Sequence, residues 1–189
     1  MITYIPNFLS VPGEFFTRIK EGTPWVRVGN TPRSEYWCND DSRPYTYGSG
    51  NGIRTYEAKS WTLPMLIVRE LIESKHGVYL EGCFSNHYLD SSDHLGWHSD
   101  DDPGIDHDKP IAVVSLGAER EIYLRRNGNL PPENKILLGN GSLLLMPPGY
   151  QSTHEHKIPK ASRMDIGPRI SLTFRGLVQK QIDISVGNG

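Results

Sequence analysis

The feature that most constrains the fold of this chain is a series of short segments after Gly77 in which apolar and polar residues alternate. Alternation with a period of two is the pattern of a β-strand with one buried face. Short strands separated by turns, with only two predicted helices before them, are typical of antiparallel double-sheet folds. The sequence therefore predicts an α+β, mainly β, fold of the jelly-roll kind. Its strands are predicted at residues 83–89, 111–117, 121–126, 135–139, 141–146 and 168–176.

Two helices are predicted before the strands. The first follows Ser10 as a candidate N-cap, has Pro12 in its first turn and ends near Gly22. The second begins at Pro64 and ends at Gly77. Its apolar residues recur at helical spacing, at positions Leu66, Ile67, Leu71 and Ile72.

Length and composition indicate one globular domain. The chain has 189 residues and a formal net charge of -2, which argues against a purely electrostatic nucleic-acid binder. It has neither the roughly 18–20 consecutive apolar residues of a membrane span nor the basic start of a signal peptide. Cys38 and Cys83 are too few for a disulfide framework. We expect a monomeric, cytoplasmic protein that makes no membrane contact, and leave a nuclear or viral origin open.

The segment 168–176, PRISLTFRG, places polar groups on one face of a predicted strand. Because side chains alternate along a strand, Arg169, Ser171, Thr173 and Arg175 share one side. One interpretation is an amphipathic edge strand with its polar face in water. The other is that this face points inward: the Cα atoms of the two arginines lie roughly 20 Å apart, and their side chains can converge on a small dicarboxylate.

The motif His98-Ser99-Asp100 places two metal-ligating side chains two residues apart. On an extended backbone both point the same way, and a neutral imidazole with a carboxylate forms two corners of a facial metal site. The alternative is a solvated acidic loop, because aspartates are frequent around this motif. A metal site therefore needs a third ligand from elsewhere in the chain.

His154 and His156 precede the arginine-containing strand, and either can supply that ligand. Two histidines and one carboxylate leave open coordination positions, as in non-haem Fe(II) oxygenases. A zinc site on His94 and His98 is disfavoured, because it requires a helix through Gly96 and lacks the glutamate of H-E-x-x-H.

In chain order, N-x-Y at 86–88, H-x-D at 98–100, a distant histidine and R-x5-R at 169–175 resemble the motifs of AlkB-like Fe(II)/2-oxoglutarate dioxygenases. The resemblance covers residues 45–178 and is closest to the nucleic-acid demethylase branch. It implies a double-stranded β-helix (jelly-roll, cupin-like) core with the two N-terminal helices packed on it.

The same resemblance implies one dioxygenase domain over residues 1–189. Residues 1–80 are expected to hold the helices and a substrate-recognition cover, and residues 81–180 the jelly-roll core with its metal and cosubstrate site. The Pro/Gly-rich stretch 30–60 is expected to be the irregular part of that cover.

The resemblance implies Fe(II) as the metal, with His98, Asp100 and His156 as its ligands. His156 is preferred to His154 because HKIP matches the family's sequence context. No protein side chain beyond these ligands is expected to be catalytic.

The implied cosubstrates are O2 and 2-oxoglutarate. Arg169 is implied to hold the distal carboxylate of 2-oxoglutarate, with Tyr88 and Ser171, while Arg175 and Asn86 contact the 2-oxo-acid end. The full set implied for this pocket is Asn86, Tyr88, Arg169, Ser171, Thr173 and Arg175.

The implied activity is oxidative demethylation of N-alkylated bases, of the 1-methyladenine and 3-methylcytosine type, in DNA or RNA. The products are formaldehyde, succinate and CO2. One alternative is a dioxygenase of the same fold that hydroxylates a target other than nucleic acid, or an unmethylated base. The other is a non-enzymatic β-sandwich binding module.

A base inside a duplex has to be flipped out to reach the metal. The expected base contacts are Tyr47, Tyr56, Trp61 and Asp102. Trp61 is chosen because Ala58 stands where close DNA-repair relatives carry an aromatic residue. The alternatives are an aromatic cluster that packs the cover onto the sheet, and a solvated aspartate.

Basic residues dominate only one stretch of the chain. Residues 30–60 hold four basic and four acidic side chains, whereas 157–180 hold six basic and one acidic. Lys157, Lys160 and Arg163 are therefore candidates for phosphate contacts, the alternative being a solvated loop.

Overall fold

The computed structural model describes residues 1–48 and 53–179. Residues 49–52 of the expected cover and 180–189 at the end of the expected domain lie outside the described residues. The helices are α1 (Pro12–Gly22), α2 (Leu63–His76) and the short α3 (Tyr150–Thr153). The strands are β1 (Thr3–Ile5), β2 (Ser34–Asn39), β3 (Tyr45–Tyr47), β4 (Arg54–Tyr56), β5 (Gly82–Tyr88), β6 (Leu95–His98), β7 (Ile111–Gly117), β8 (Arg120–Arg126), β9 (Asn134–Leu138), β10 (Ser142–Met146), β11 (His154–Ile158) and β12 (Arg169–Arg175).

Two antiparallel sheets face each other. The larger has six strands in the order β1-β10-β7-β12-β5-β2, and the smaller has four in the order β6-β11-β8-β9. A separate hairpin pairs β3 with β4. The mainly β jelly-roll is the predicted fold, and each of the six predicted strands is present with its ends within one residue of the prediction.

The hydrophobic core has two main layers. One lies between the two sheets and includes Ile111, Ile122 and Leu144. The other lies between the helices and the outer face of the six-stranded sheet, where Ile19 of α1 and Ile72 of α2 meet sheet residues. Because one face of the larger sheet is covered by helices and the other by the smaller sheet, its central strands are buried on both faces.

The predicted helices are present, with one correction at a cap. The N-cap of α1 is Val11, which makes no side-chain capping bond, so the prediction of Ser10 as the cap is wrong by one residue. Pro12 at the first helical position needs no hydrogen-bonded amide, which makes a capping side chain less necessary. α2 ends at Gly77, whose φ of 65° is the left-handed conformation that glycine adopts without strain.

The prediction that 30–60 is an irregular cover is wrong for its first part. Residues 34–39 form β2, which is buried along its whole length and pairs with β5. Polar and apolar residues do not alternate along β2, so the residue pattern contains no strand signal there. The polar Glu35 and Asn39 can be buried because they have hydrogen-bonding partners inside the protein. β1 and β2 also place strands from the first 80 residues in the six-stranded sheet. The subdivision at residue 80 stays a prediction.

Cys38 and Cys83 are buried free thiols that lie opposite each other on β2 and β5. Within the described ranges, no helix is long and apolar enough to cross a membrane.

Candidate active site

A cavity of about 510 Å³, solvent at its mouth included, lies between the two sheets. Its walls come from β5, β6, β11 and β12, and from the hairpin residues Tyr45 and Tyr47. Most of the side chains that the sequence singled out therefore converge on one space.

β12 supplies the polar floor of the cavity. Arg169, Ser171, Thr173 and Arg175 line it, while the alternate residues of the strand pack into the helical core. β12 lies between β5 and β7 and is buried throughout, so the inward interpretation of this strand is confirmed. The polar face is buried because the smaller sheet lies over it across the cavity, and the neighbouring strands on both sides leave no edge in water.

The two strands of the smaller sheet that carry histidines bring three possible ligands together. His156 of β11 is the register partner of His98, the last residue of β6, and their ring centroids are 4.2 Å apart. One ligand atom from each of His98, Asp100 and His156 lies within 4.8 Å of the others. The Asp100 amide donates to Gln151 Oε1 at 3.0 Å, which fixes the backbone beyond β6.

The protonation states in this cluster suit metal binding. His98 Nδ1 lies 2.9 Å from the Gly96 carbonyl, and because a carbonyl only accepts, this nitrogen carries the proton and leaves Nε2 with a free lone pair. Burial lowers the pKa of His98, and it lowers the pKa of His156 to about 3, so both rings are neutral at pH 7. Burial opposes ionisation of Asp100, but its charged surroundings, the Arg175 guanidinium first among them, outweigh it and lower the Asp100 pKa.

His154 lies outside this cluster. Its ring stacks on Tyr150 with centroids 4.1 Å apart, and its Nδ1 is 2.7 Å from the Thr153 hydroxyl. Of the two histidines that the residues alone left open, the structure brings His156 to His98 and Asp100.

Arg169 is completely buried at one end of the cavity. Its Nε donates to Ser115 Oγ at 2.9 Å, and its guanidinium lies 5.2 Å from the ring of Tyr88. Within the described residues, Nη1 and Nη2 have no hydrogen-bond partner. Burial lowers the pKa of Arg169 to about 10, so the side chain remains charged at pH 7. A buried cation with two free donors is a receptor for a carboxylate.

Arg175 lies at the other end and is already paired. Its Nη2 donates to Asp100 Oδ2 at 3.3 Å and its Nη1 to the Tyr45 hydroxyl at 2.9 Å. Its Nε has no partner in the described part of the chain. Burial alone would lower the pKa of Arg175, but the Asp100 carboxylate outweighs it and raises the pKa.

Sequence reasoning missed a buried ion pair at the cavity wall. Arg33 lines the cavity, lies 2.6 Å from Glu35 Oε1 and donates from Nε to Asn86 Oδ1 at 2.8 Å. The other oxygen of Glu35 accepts a hydrogen bond of 2.6 Å from the Tyr56 hydroxyl. These contacts connect Asn86 of the expected cosubstrate pocket with the β3–β4 hairpin. Their local signal was weak, since a buried polar strand has no alternation of polar and apolar residues.

The expected base contacts lie in different places. Tyr47 lines the cavity and meets the His98 ring edge-on at 6.0 Å. Tyr56 packs edge-on against Phe84, and Asp102 accepts a hydrogen bond from Tyr45.

Trp61 is not brought to the cavity. It stacks on Phe174, which belongs to the outward-facing set of β12, and its indole nitrogen donates to Asp40. Alternation along β12 therefore puts Trp61 on the opposite side of the six-stranded sheet from the two arginines.

A jelly-roll whose two sheets enclose a His-x-Asp…His cluster beside a buried free arginine defines the class of Fe(II)/2-oxoglutarate-dependent dioxygenases. Residues 3–175 match the model of the 2OG-Fe(II) oxygenase superfamily, and the chain belongs to that family. Fe(II) as the metal and 2-oxoglutarate and O2 as cosubstrates are thereby confirmed, and the AlkB relatives at 31–32% identity confirm the predicted resemblance to AlkB-like dioxygenases.

The chain is similar to alpha-ketoglutarate-dependent dioxygenase alkB homolog 3 of Bos taurus, with 32% identity over 178 residues. That alignment covers 85% of this chain and 59% of the bovine protein. It is also similar to the DNA oxidative demethylase ALKBH2 of Mus musculus, with 31% identity over 176 residues, 87% of this chain and 70% of the mouse protein. The chain thus spans little more than half the length of the bovine relative.

The solved structure titled "The structure of OsALKBH1" shares the fold, with a TM-score of 0.70 at 15% identity. The match covers 93% of this chain and 96% of that one.

The residues present fit both iron and 2-oxoglutarate. Two neutral imidazoles and one ionised carboxylate are the donor set of a non-haem Fe(II) site. Nη1 and Nη2 of Arg169, which have no partner among residues 1–48 and 53–179, are the donors that a bound carboxylate satisfies.

Proposed function

We propose that this protein oxidatively demethylates N-alkylated bases, of the 1-methyladenine and 3-methylcytosine type, in DNA or RNA. The observation that carries the proposal is one cavity that contains the possible metal ligands, a buried unpaired arginine and an aromatic side chain at its mouth. The mouse relative is named a DNA oxidative demethylase, which supports the choice of substrate.

In this proposal His98, Asp100 and His156 hold Fe(II). Bound Fe(II) and 2-oxoglutarate would allow O2 to hydroxylate a C–H bond of the substrate. Succinate and CO2 are the products that 2-oxoglutarate gives. Gln151 and the Gly96 carbonyl hold two of the ligands in orientation, and such outer contacts strengthen metal sites.

Arg169 binds the distal carboxylate of 2-oxoglutarate through its two free nitrogens, and Ser115 fixes the plane of the guanidinium. Tyr88 and Ser171 line the same end. Arg175, which donates to Asp100, and Asn86 contact the 2-oxo-acid end, and Thr173 lines the same cavity.

Tyr47 is the base contact that the geometry favours most, since it lines the cavity next to His98. A methyl group attached to a base nitrogen becomes a hydroxymethyl group, which leaves as formaldehyde and restores the base. Tyr56 acts through Glu35 and Arg33, and Asp102 through Tyr45.

The test is formaldehyde release from oligonucleotides that carry 1-methyladenine or 3-methylcytosine, with Fe(II), 2-oxoglutarate and O2 supplied. Unmethylated oligonucleotides of the same sequence are the substrate control. The Asp101→Ala variant is the protein control, because Asp101 is an exposed residue next to the metal ligand Asp100. We expect release only from the methylated oligonucleotides. Succinate formation without formaldehyde from any methylated DNA or RNA oligomer would instead support hydroxylation of another target.

A further inference from the structure

We propose that the outer face of the four-stranded sheet binds the backbone of the single-stranded nucleic acid whose target base enters the cavity. This inference rests on the proposed function and extends it beyond the cavity. Four side chains form what we name the cation–aromatic ladder: Trp97, Lys157, Tyr123 and Lys135. Lys157 Nζ is 4.8 Å from the ring of Trp97 and 5.3 Å from that of Tyr123, and Lys135 Nζ is 4.7 Å from Tyr123.

Strand alternation places the ladder directly behind the metal-ligating residues. Trp97 precedes His98 on β6, and Lys157 follows His156 on β11, so each ladder residue points away from the cavity when its neighbour points into it. Tyr123 is the register partner of both Lys157 and Lys135. The ladder therefore runs in a row across all four strands of the sheet.

The mouth of the cavity lies beside one end of this row. Of the lining side chains that the structure describes, only Tyr47, Leu95 and His98 are half-exposed rather than buried, and two of these are in β6. β6 is an edge strand of its sheet within the described residues. A chain that leaves the mouth over this edge reaches Trp97 first and then Lys157.

The charges of this face favour an anionic partner. Arg125 lies 3.8 Å from the ring of Trp97 and is neutralised by Glu155 at 2.8 Å. Glu121, on the same face, accepts a hydrogen bond of 3.2 Å from the Tyr123 hydroxyl. Within residues 1–48 and 53–179, Lys135 and Lys157 take part in none of the ion pairs.

Two unpaired cations alternating with half-exposed aromatic rings are the combination that single-stranded nucleic acid requires. Lysines contact phosphates, and a lysine that turns from its ring to a phosphate opens the ring face for stacking, which tolerates any base sequence. An acidic protein surface would use the lysines but would have no use for the rings.

The test is fluorescence anisotropy with a labelled 15-nucleotide single strand and the full chain, over a series of salt concentrations. The ladder variant is Lys135→Gln with Lys157→Gln. Its matched control is Lys20→Gln with Lys75→Gln, because these lysines also lie over aromatic rings, Phe16 at 6.0 Å and Phe8 at 4.8 Å, but on the helices. Both variants change net charge equally, and thermal unfolding verifies that both are folded.

We expect the ladder variant to bind about tenfold more weakly at low salt and its salt slope to fall by about 1.4, the value for two lost phosphate contacts on a single strand. The control variant should bind like the unsubstituted protein. Equal weakening in both variants, or in neither, would overturn the proposal. The proposal would also be overturned if poly-glutamate of the same length competed for binding as effectively as the unlabelled oligonucleotide.

Formaldehyde release by the unsubstituted protein separates this proposal from the proposed function. Release from a methylated oligomer together with binding that does not depend on the ladder overturns the ladder alone. Ladder-dependent binding with no release from any methylated oligomer overturns demethylation alone.

Discussion

Arg169 and Arg175 share one face of β12, and both are almost completely buried, yet their surroundings differ. Both terminal nitrogens of Arg175 donate hydrogen bonds, to Asp100 and to Tyr45. Both terminal nitrogens of Arg169 lack a partner in the described chain. At one end of the cavity the arginine is therefore already paired within the described chain, while at the other end it is free to bind an anion.

The difference separates two uses of a buried arginine. Arg175 stabilises the ionised form of Asp100 and holds it in place. Arg169 remains charged at a cost in folding free energy that a ligand carboxylate offsets, since an unpaired buried charge is unfavourable. The two residues are alike in type and in face of the strand but differ in their partners, so substitutions at each should have different consequences.

The largest expected effect is at Asp100, which joins the paired end to the possible metal ligands. Asp100→Asn should lower 2-oxoglutarate turnover by more than about 100-fold, the upper range for residues that only support a ligand. Succinate formation with saturating Fe(II) measures it, with Asp101→Asn as the control at an exposed neighbour. Turnover close to that of the unsubstituted protein would remove Asp100 from the metal site.

Arg175→Met should lower the free energy of unfolding of the metal-free protein by about 3 kcal/mol, because it leaves the Asp100 carboxylate buried and unpaired. Urea denaturation at pH 7 measures the change. Arg163→Met is the matched control: Arg163 is 75% exposed and pairs with Asp165 at 2.9 Å, and exposed pairs contribute less than about 1 kcal/mol. Equal losses in the two variants would mean that the buried pair contributes no more than a surface one.

Arg169→Met should raise the KM for 2-oxoglutarate by about 10- to 100-fold, the value of a hydrogen-bonded charge contact. Unlike Arg175→Met, it should not lower the stability of the metal-free protein, because it removes an unpaired charge. Steady-state kinetics and urea denaturation of the same preparation measure both effects. An unchanged KM would refute the assigned carboxylate contact, and a loss of stability equal to that of Arg175→Met would remove the contrast between the two ends.

The smallest effect is expected at His154. His154→Ala should leave Fe(II) affinity close to that of the unsubstituted protein, because its ring stacks on Tyr150 away from Asp100. His156→Ala should abolish specific Fe(II) binding. Titration of the metal-free protein with Fe(II) under anaerobic conditions compares the two variants. A larger loss of Fe(II) affinity in His154→Ala than in His156→Ala would show that His156 was assigned wrongly.

Six of the strands were predictable to within a residue at each end, as at residues 111–117 and 169–175. β2 was not, because its buried Glu35 and Asn39 are satisfied by partners distant in the sequence or in the following turn. The same reason hid Arg33 as a lining residue. The N-cap of α1 was misplaced because Pro12 fixes the first turn without a capping side chain.

In the cavity, too, some features followed from local alternation and others did not. The sequence placed Arg169 and Arg175 on one face of one strand, because alternation is a local property of the backbone. By residue pattern alone it left the third ligand open between His154 and His156, and a family resemblance favoured His156.

The alternation of polar and apolar residues along the chain was sufficient to predict six of the strands, the two long helices and the single face of β12 that Arg169 and Arg175 share. Which histidine meets His98, which arginine is left without a partner and which tryptophan is packed away from the cavity were decided only by the pairing of β6 with β11 and by the closure of one sheet over the other. These outcomes depend on contacts between segments far apart in the chain, and no local pattern of side chains specifies the partner across a cavity.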